Sequence, residues 1–257
     1  GGVVSSPRLV ARGDDSPTPS VRRAPAAATP RRRAPEAFPL LYHVFRATSG
    51  LLLRGLFDLR VHGIEHLPES GSFILAANHH NYLDGVVLGV AVPRPISFLV
   101  MPRVFRATPL HPPIHRRIGS IPVNLERPDP GAIKRVLRVL EAGRVVGIFP
   151  EGPFSQEGRL VRGQPGAAMI ALRAGVPIVP AAIAGTYEAL RARRLYLPRR
   201  DPLSVRFGAP LYFERHRHRP VARAVREEIT HRIMSEIAAL LRTPPEPAAP
   251  AGRAGVP

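Results

Sequence analysis

The chain has 257 residues, 44% of them hydrophobic, which suits one large domain or two small ones and excludes a disordered polypeptide overall. No cysteine is present, so disulfides, thiolate catalysis and an acyl-cysteine intermediate are excluded. The net charge of +18 is almost wholly arginine, as expected of GC-rich coding, and without an aromatic-interleaved basic groove or a nucleic-acid motif no nucleic-acid partner is expected.

In chain order, residues 1–37 lack apolar periodicity and are rich in Pro, Ala and Arg, which predicts a disordered arm without a signal peptide. The first residue is not Met, as in a fragment or a trimmed start. Residues 38–57 predict an amphipathic helix. At 100° per residue His43, Arg46, Gly50, Arg54 and Asp58 form a polar stripe, and Leu41, Phe45, Leu52 and Leu56 crowd the opposite face. Such a helix either packs on its own domain or lies in a membrane surface, where anionic lipid attracts basic residues by about 1 kcal/mol each. No apolar run is long enough to span a bilayer.

Strand and helix patterns then alternate. Strands are expected at Leu59–Ile64, Phe73–Ala77, Ile96–Met101, Ile121–Leu125, Val145–Phe149, Ile178–Ile183 and Ser204–Phe207. Helices are expected at Gly85–Val92, across 103–118 with proline interruptions, after the Asp129-Pro130 cap, at Pro165–Arg173, and along Val221, Val225, Ile229, Ile233 and Ile237. This alternation predicts an α/β fold, a layered mixed sheet flanked by helices, over residues 58–242. A second disordered tail is expected at 243–257. Ligands of such sheets bind at the carboxyl ends of the strands.

Two blocks sit at strand ends of this kind. Asn78-His79-His80-Asn81-Tyr82-Leu83-Asp84 follows Phe73–Ala77, and Phe149-Pro150-Glu151-Gly152 follows Val145–Ile148. A His-x-x-x-x-Asp spacing alone arises by chance about 0.2 times in a chain of this composition, so the context carries the signal. His79 with Asp84 offers an imidazole base oriented by a carboxylate, the equipment for deprotonating a hydroxyl. His80 is adjacent and titrates in the same range. A metal reading of His79, His80 and Asp84 is disfavoured, because adjacent histidines point apart and no second ligand cluster is evident.

The combination resembles the 1-acylglycerol-3-phosphate acyltransferase family of membrane-associated glycerolipid acyltransferases, over roughly Phe38 to Pro210. The resemblance implies an enzyme with His79 and Asp84 as catalytic residues. It implies acyl-CoA or acyl-carrier protein as co-substrate, no other cofactor and no metal, and a lysophospholipid acceptor. It also implies peripheral attachment to a membrane surface, on the cytoplasmic face. Glu151 and Gly152 match the block that shapes the acceptor site. Two departures bear on the head group, since Leu125 and Phe154 stand where the family has arginine. Arg127, Arg159 and Arg162 are the candidate replacements, because phosphate is normally held by forked, charge-assisted contacts. Val176–Ala182 resembles the fourth block, an apolar wall suited to an acyl chain or equally to a sheet core.

Overall fold

The computed structural model describes residues 40–106, 115–116, 118–124, 129–152, 157–190, 200–216 and 221–243. The arm at 1–37, the tail beyond residue 243, and Leu125, Arg127 and Phe154 lie outside the described residues.

Seven strands form one sheet: β1 (Arg60–His62), β2 (Phe73–Ala77), β3 (Ile96–Val100), β4 (Ile121–Pro122), β5 (Val145–Ile148), β6 (Ile178–Ala184) and β7 (Ser204–Phe207). Their spatial order is β1-β7-β6-β2-β5-β3-β4, parallel throughout except for the β6–β7 pair. The described helices are α1 (Leu40–Phe57), α2 (Leu83–Ala91), α3 (Pro102–Phe105), α4 (Pro130–Glu141), α5 (Gly166–Ala174), α6 (Thr186–Ala189) and α7 (Arg223–Arg242). The mixed, layered α/β fold read from the alternating pattern is the one observed.

β2 is central, and all five of its residues are buried, as a continuous apolar run in a two-sided sheet requires. Phe73, Leu75 and Ala77 join a core with Leu53 and Phe57 of α1 and Val87 and Leu88 of α2. Ile74 and Ala76 point the other way, into a core with Val136 of α4, Ile170 of α5 and Ile233 of α7. α4 starts as its sequence dictates: the Asp129 carboxylate accepts the Ala132 N–H at 2.8 Å, and Pro130 follows in the first turn.

The structure bears on three expectations. The strand expected from Ile121 to Leu125 is only Ile121–Pro122, an edge strand where a residue without an N–H is tolerated. Of the helix expected across 103–118, α3 supplies one turn and residues 115–116 are helical; residues 107–114 and 117 lie outside the described residues. The third is the docking face of α1, which the sequence left open. Gly50 and Arg46 of the expected polar stripe turn towards the domain, while Phe45, Leu52 and Leu56 of the apolar face are 50%, 56% and 41% exposed. The seam is made by Tyr42, Gly50, Leu53 and Phe57. A Cβ on Gly50 would lie at van der Waals distance, 3.4 Å, from Val90 Cγ1, which places this part of α1 directly on α2. Among the described residues, no helix is long and apolar enough to cross a membrane.

Candidate active site

β2 and β5 run parallel with Ala76 beside Ile148, so the blocks beginning at Asn78 and Phe149 leave the same sheet edge as neighbours. The first block folds back on itself around Asp84. This residue lies in the first turn of α2 and is fully buried. One oxygen, Oδ2, accepts three N–H groups: His79 Nδ1 at 2.8 Å, the His80 backbone at 2.6 Å and the Asn81 backbone at 2.8 Å. Oδ1 is buried without a hydrogen-bond partner among the described residues. The carboxylate therefore shapes the loop and fixes the imidazole tautomer together, leaving the His79 lone pair on Nε2.

The plane of that imidazole is set from its face. The Phe149 ring stacks on it at 3.7 Å between centroids and 5° between planes, and Phe98 stacks on Phe149 at 5.8 Å and 6°. Gly147 makes room for this stack, because a Cβ there would stand 2.5 Å from the Phe98 ring. Sequence reasoning missed Phe98 and the role of Phe149. A lone glycine inside an otherwise Val/Ile strand was the available signal, since it often marks a close approach.

His80 is bound differently. The Asn78 side chain pairs with both backbone groups of Ile183: its oxygen accepts the N–H at 2.8 Å and its nitrogen donates to the carbonyl at 2.8 Å. That pairing fixes the orientation of the amide, so Asn78 Nδ2 must also be the donor in its 3.0 Å contact with His80 Nε2. The lone pair of His80 on Nε2 is thereby occupied, and its Nδ1 is buried. The two rings thus have different partners, and of the two only His79 lines the adjoining cavity. Asn81 stands just before α2, its Oδ1 accepting from Leu83 N at 2.9 Å, while its Nδ2 donates to the Thr186 carbonyl at the start of α6.

Glu151 is 2% exposed, and both its oxygens are engaged by backbone N–H groups, Oε1 by His79 and Oε2 by Val161, each at 2.8 Å. Burial raises its pKa above the ordinary glutamate range, against the opposing pull of these two N–H groups and of the His80 and His79 imidazoles. Gly152, at φ +82°, makes the turn that follows.

A cavity of about 270 Å³ opens beside His79. Its near end is lined by His79, Tyr82, Phe149 and Gly152, and it continues between α2 and β3 to Val90, Ile96, Tyr42 and Arg46. The walls are almost entirely apolar. Along α2 they include Gly85 and Gly89, where a Cβ would meet no heavy atom within 4 Å. The fourth block does not contribute, because Ile178, Val179, Ala181 and Ile183 are buried in the two cores. Arg159 and Arg162 are exposed and lie outside the cavity lining; Arg159 forms a 3.6 Å ion pair with Glu157 on the same loop.

The profile of the Acyltransferase family matches residues 58–184, a span that holds both blocks. The 1-acyl-sn-glycerol-3-phosphate acyltransferase of Bacillus subtilis is 30% identical over 171 residues, covering 66% of this chain and 81% of that one. A chloroplastic enzyme of the same name from Arabidopsis thaliana is 30% identical over 152 residues, or 56% of this chain and 42% of its own length. The crystal structure of the 1-acyl-sn-glycerophosphate acyltransferase from Thermotoga maritima shares the fold, with a TM-score of 0.64 and 19% identity over 80% of this chain and 82% of that one. The chain belongs to the 1-acylglycerol-3-phosphate acyltransferase family.

Proposed function

We propose that the protein transfers a fatty acyl group from acyl-CoA or acyl-carrier protein to the hydroxyl of a lysophospholipid resembling lysophosphatidic acid, as a step of phospholipid biosynthesis. The observation that carries this reading is the 2.8 Å contact of His79 with buried Asp84, at the mouth of an apolar cavity. The acceptor hydroxyl gives its proton to His79 Nε2 as its oxygen attacks the thioester carbonyl. Asp84 stabilises the imidazolium so formed. The carbon–sulfur bond then breaks, the imidazolium returns the proton to the departing thiolate, and the acyl ester and free thiol leave. The cavity receives the acyl chain. Mass-spectrometric product analysis with a panel of acyl-CoA and acyl-carrier donors against lysolipids of differing head group tests the reading. Ester product with a lysolipid supports it, and thioester hydrolysis alone would replace it with a thioesterase.

The head group is assigned to the loop carrying Arg159 and Arg162, which the exposure of both leaves accessible to a phosphate. Alanine at either position is expected to raise the acceptor KM several-fold with little change in kcat or donor KM, the mark of lost uniform binding. Equal use of phosphate-free acceptors, with both variants unaffected, would indicate a different lipid class.

Attachment to the cytoplasmic face of a membrane is assigned to α1. Its outward face carries Val44, Phe45, Leu51, Leu52 and Leu56 beside the exposed Arg54, and Phe45 also lines the cavity, so the lipid-facing side of the helix and the acyl site are continuous. Leu52→Glu with Leu56→Glu is expected to abolish flotation with anionic liposomes while leaving circular dichroism and activity on soluble short-chain substrates intact. Flotation equal to wild type would remove α1 as the anchor.

A further inference from the structure

One buried carboxylate joins the loop that carries His79 to the loop that carries the two arginines. Oε1 of Glu151 holds the His79 backbone, and Oε2 holds Val161, which stands between Arg159 and Arg162. Both contacts are backbone N–H to charged oxygen, stronger than neutral pairs and needed to keep a carboxylate at this depth. Glu151 is absent from the cavity lining although its neighbour Gly152 belongs to it. Its oxygens are thus committed to the two loops.

The second loop has other anchors: Leu160 packs against the core that contains Ile229 and Ile233, and a Cβ on Gly163 would stand 2.8 Å from Met234 of α7. Gly158, at φ +68°, passes so close to the Tyr187 ring that a Cβ would stand 2.6 Å from it, and Gln164 N donates to the Pro150 carbonyl at 2.6 Å. Among these contacts Glu151 supplies the hydrogen bond to the Val161 N–H, the one that leads back to the His79 loop. On the other side, the amide it holds belongs to the residue whose imidazole Asp84 and Phe149 orient. The carboxylate thus spans from the backbone of His79 to that of Val161, next to Arg162 and two residues from Arg159.

We propose that Glu151 is a positioning residue that sets the register between the acceptor's head-group loop and His79, so that a lipid gripped by its phosphate presents its hydroxyl to Nε2. This inference rests on the acyl-transfer reading above. It gives the glutamate a task distinct from contacting the acceptor, as the family resemblance implies for this block.

Three substitutions separate the possibilities. Glu151→Gln keeps the volume but has one acceptor oxygen, so one of the two N–H groups is left against an amide NH2. Glu151→Asp is one methylene shorter and can reach one loop but not both. Glu151→Ala releases both. Hydrogen–deuterium exchange of the full-length protein, without substrate, is expected to show the segments around His79 and Val161 losing protection together in the Ala and Gln variants, with β2 and β6 unchanged. In steady-state kinetics Glu151→Gln is expected to lower kcat/KM for the acceptor by about 10- to 100-fold, the scale of one hydrogen bond to a charged group, with donor KM held within a few-fold. Arg159→Ala and Arg162→Ala in the Gln background should then cost less than they do in the wild type. Unchanged protection at both segments in Glu151→Gln, or equal increases in donor and acceptor KM, would overturn the proposal. A wild-type protein that transfers no acyl group would sink the acyl-transfer reading, while the exchange experiment would still report whether the carboxylate couples the loops.

Discussion

Replacing His79 by alanine is expected to lower kcat/KM by about 10²–10⁴-fold, the usual contribution of a positioned general base, with the fold intact by circular dichroism. His80→Ala should be far milder, because Asn78 already occupies the Nε2 lone pair of His80. Asp84 offers a sharper test. Since Oδ2 accepts all three N–H groups and Oδ1 none, Asp84→Asn can place its carbonyl oxygen at the Oδ2 position and keep every contact. It therefore removes charge while sparing the tautomer and the loop. The expected loss is about 10- to 100-fold, from a weaker hold on the imidazolium. Asp84→Ala also frees the His80 and Asn81 amides and should cost more. Wild-type turnover in purified His79→Ala would show that the proton goes elsewhere, and full activity in Asp84→Asn would show that the charge is not used.

What the chain states openly are its strands and the ends of its helices. Phe73–Ala77 and Ser204–Phe207 are read to the residue, because apolar runs bounded by breakers have few other solutions. The His79–Asp84 pair was legible for a similar reason: a strand end followed by a helix start confines five residues to a tight return. The docking face of α1 was not legible. Hydropathy shows a wide apolar arc but not which part of it meets the domain; Tyr42, Leu53 and Phe57 do, while Leu52 and Leu56 stay exposed. Nor does the sequence say which oxygen of a glutamate meets which amide. Glu151 reads as an acceptor-site residue through the family resemblance of its block, and only the spatial meeting of the two loops shows its oxygens to be taken by backbone. The Phe98–Phe149–His79 stack depends in the same way on the β3–β5 register, which sets Phe98 beside Gly147.

The cavity yields the second large effect, and its geometry fixes the order of the outcomes. Gly85 and Gly89 are one turn apart on α2, both on the cavity wall and both with open space at the Cβ position. Because α2 runs away from the His79 end, Gly85 lies nearer His79 and Gly89 about 6 Å deeper. A leucine at 89 should fill the deep part and leave the mouth open. Displacing three or four methylenes of a long acyl chain from apolar contact, at about 0.8 kcal/mol each, costs ~2.5–3 kcal/mol, or about 10²-fold in kcat/KM for long-chain donors. Short-chain donors should be nearly unaffected, so the preference inverts. A leucine at 85 blocks close to His79 and should depress donors of every length. Neither variant is expected to unfold, since leucine has about 0.8 kcal/mol better helix propensity than glycine and would enter empty space. Competition assays with mixed-length acyl donors read the result directly. An unchanged chain-length profile in Gly89→Leu would place the acyl chain outside this cavity, and a uniform loss there with a selective loss in Gly85→Leu would reverse the direction in which the chain threads it.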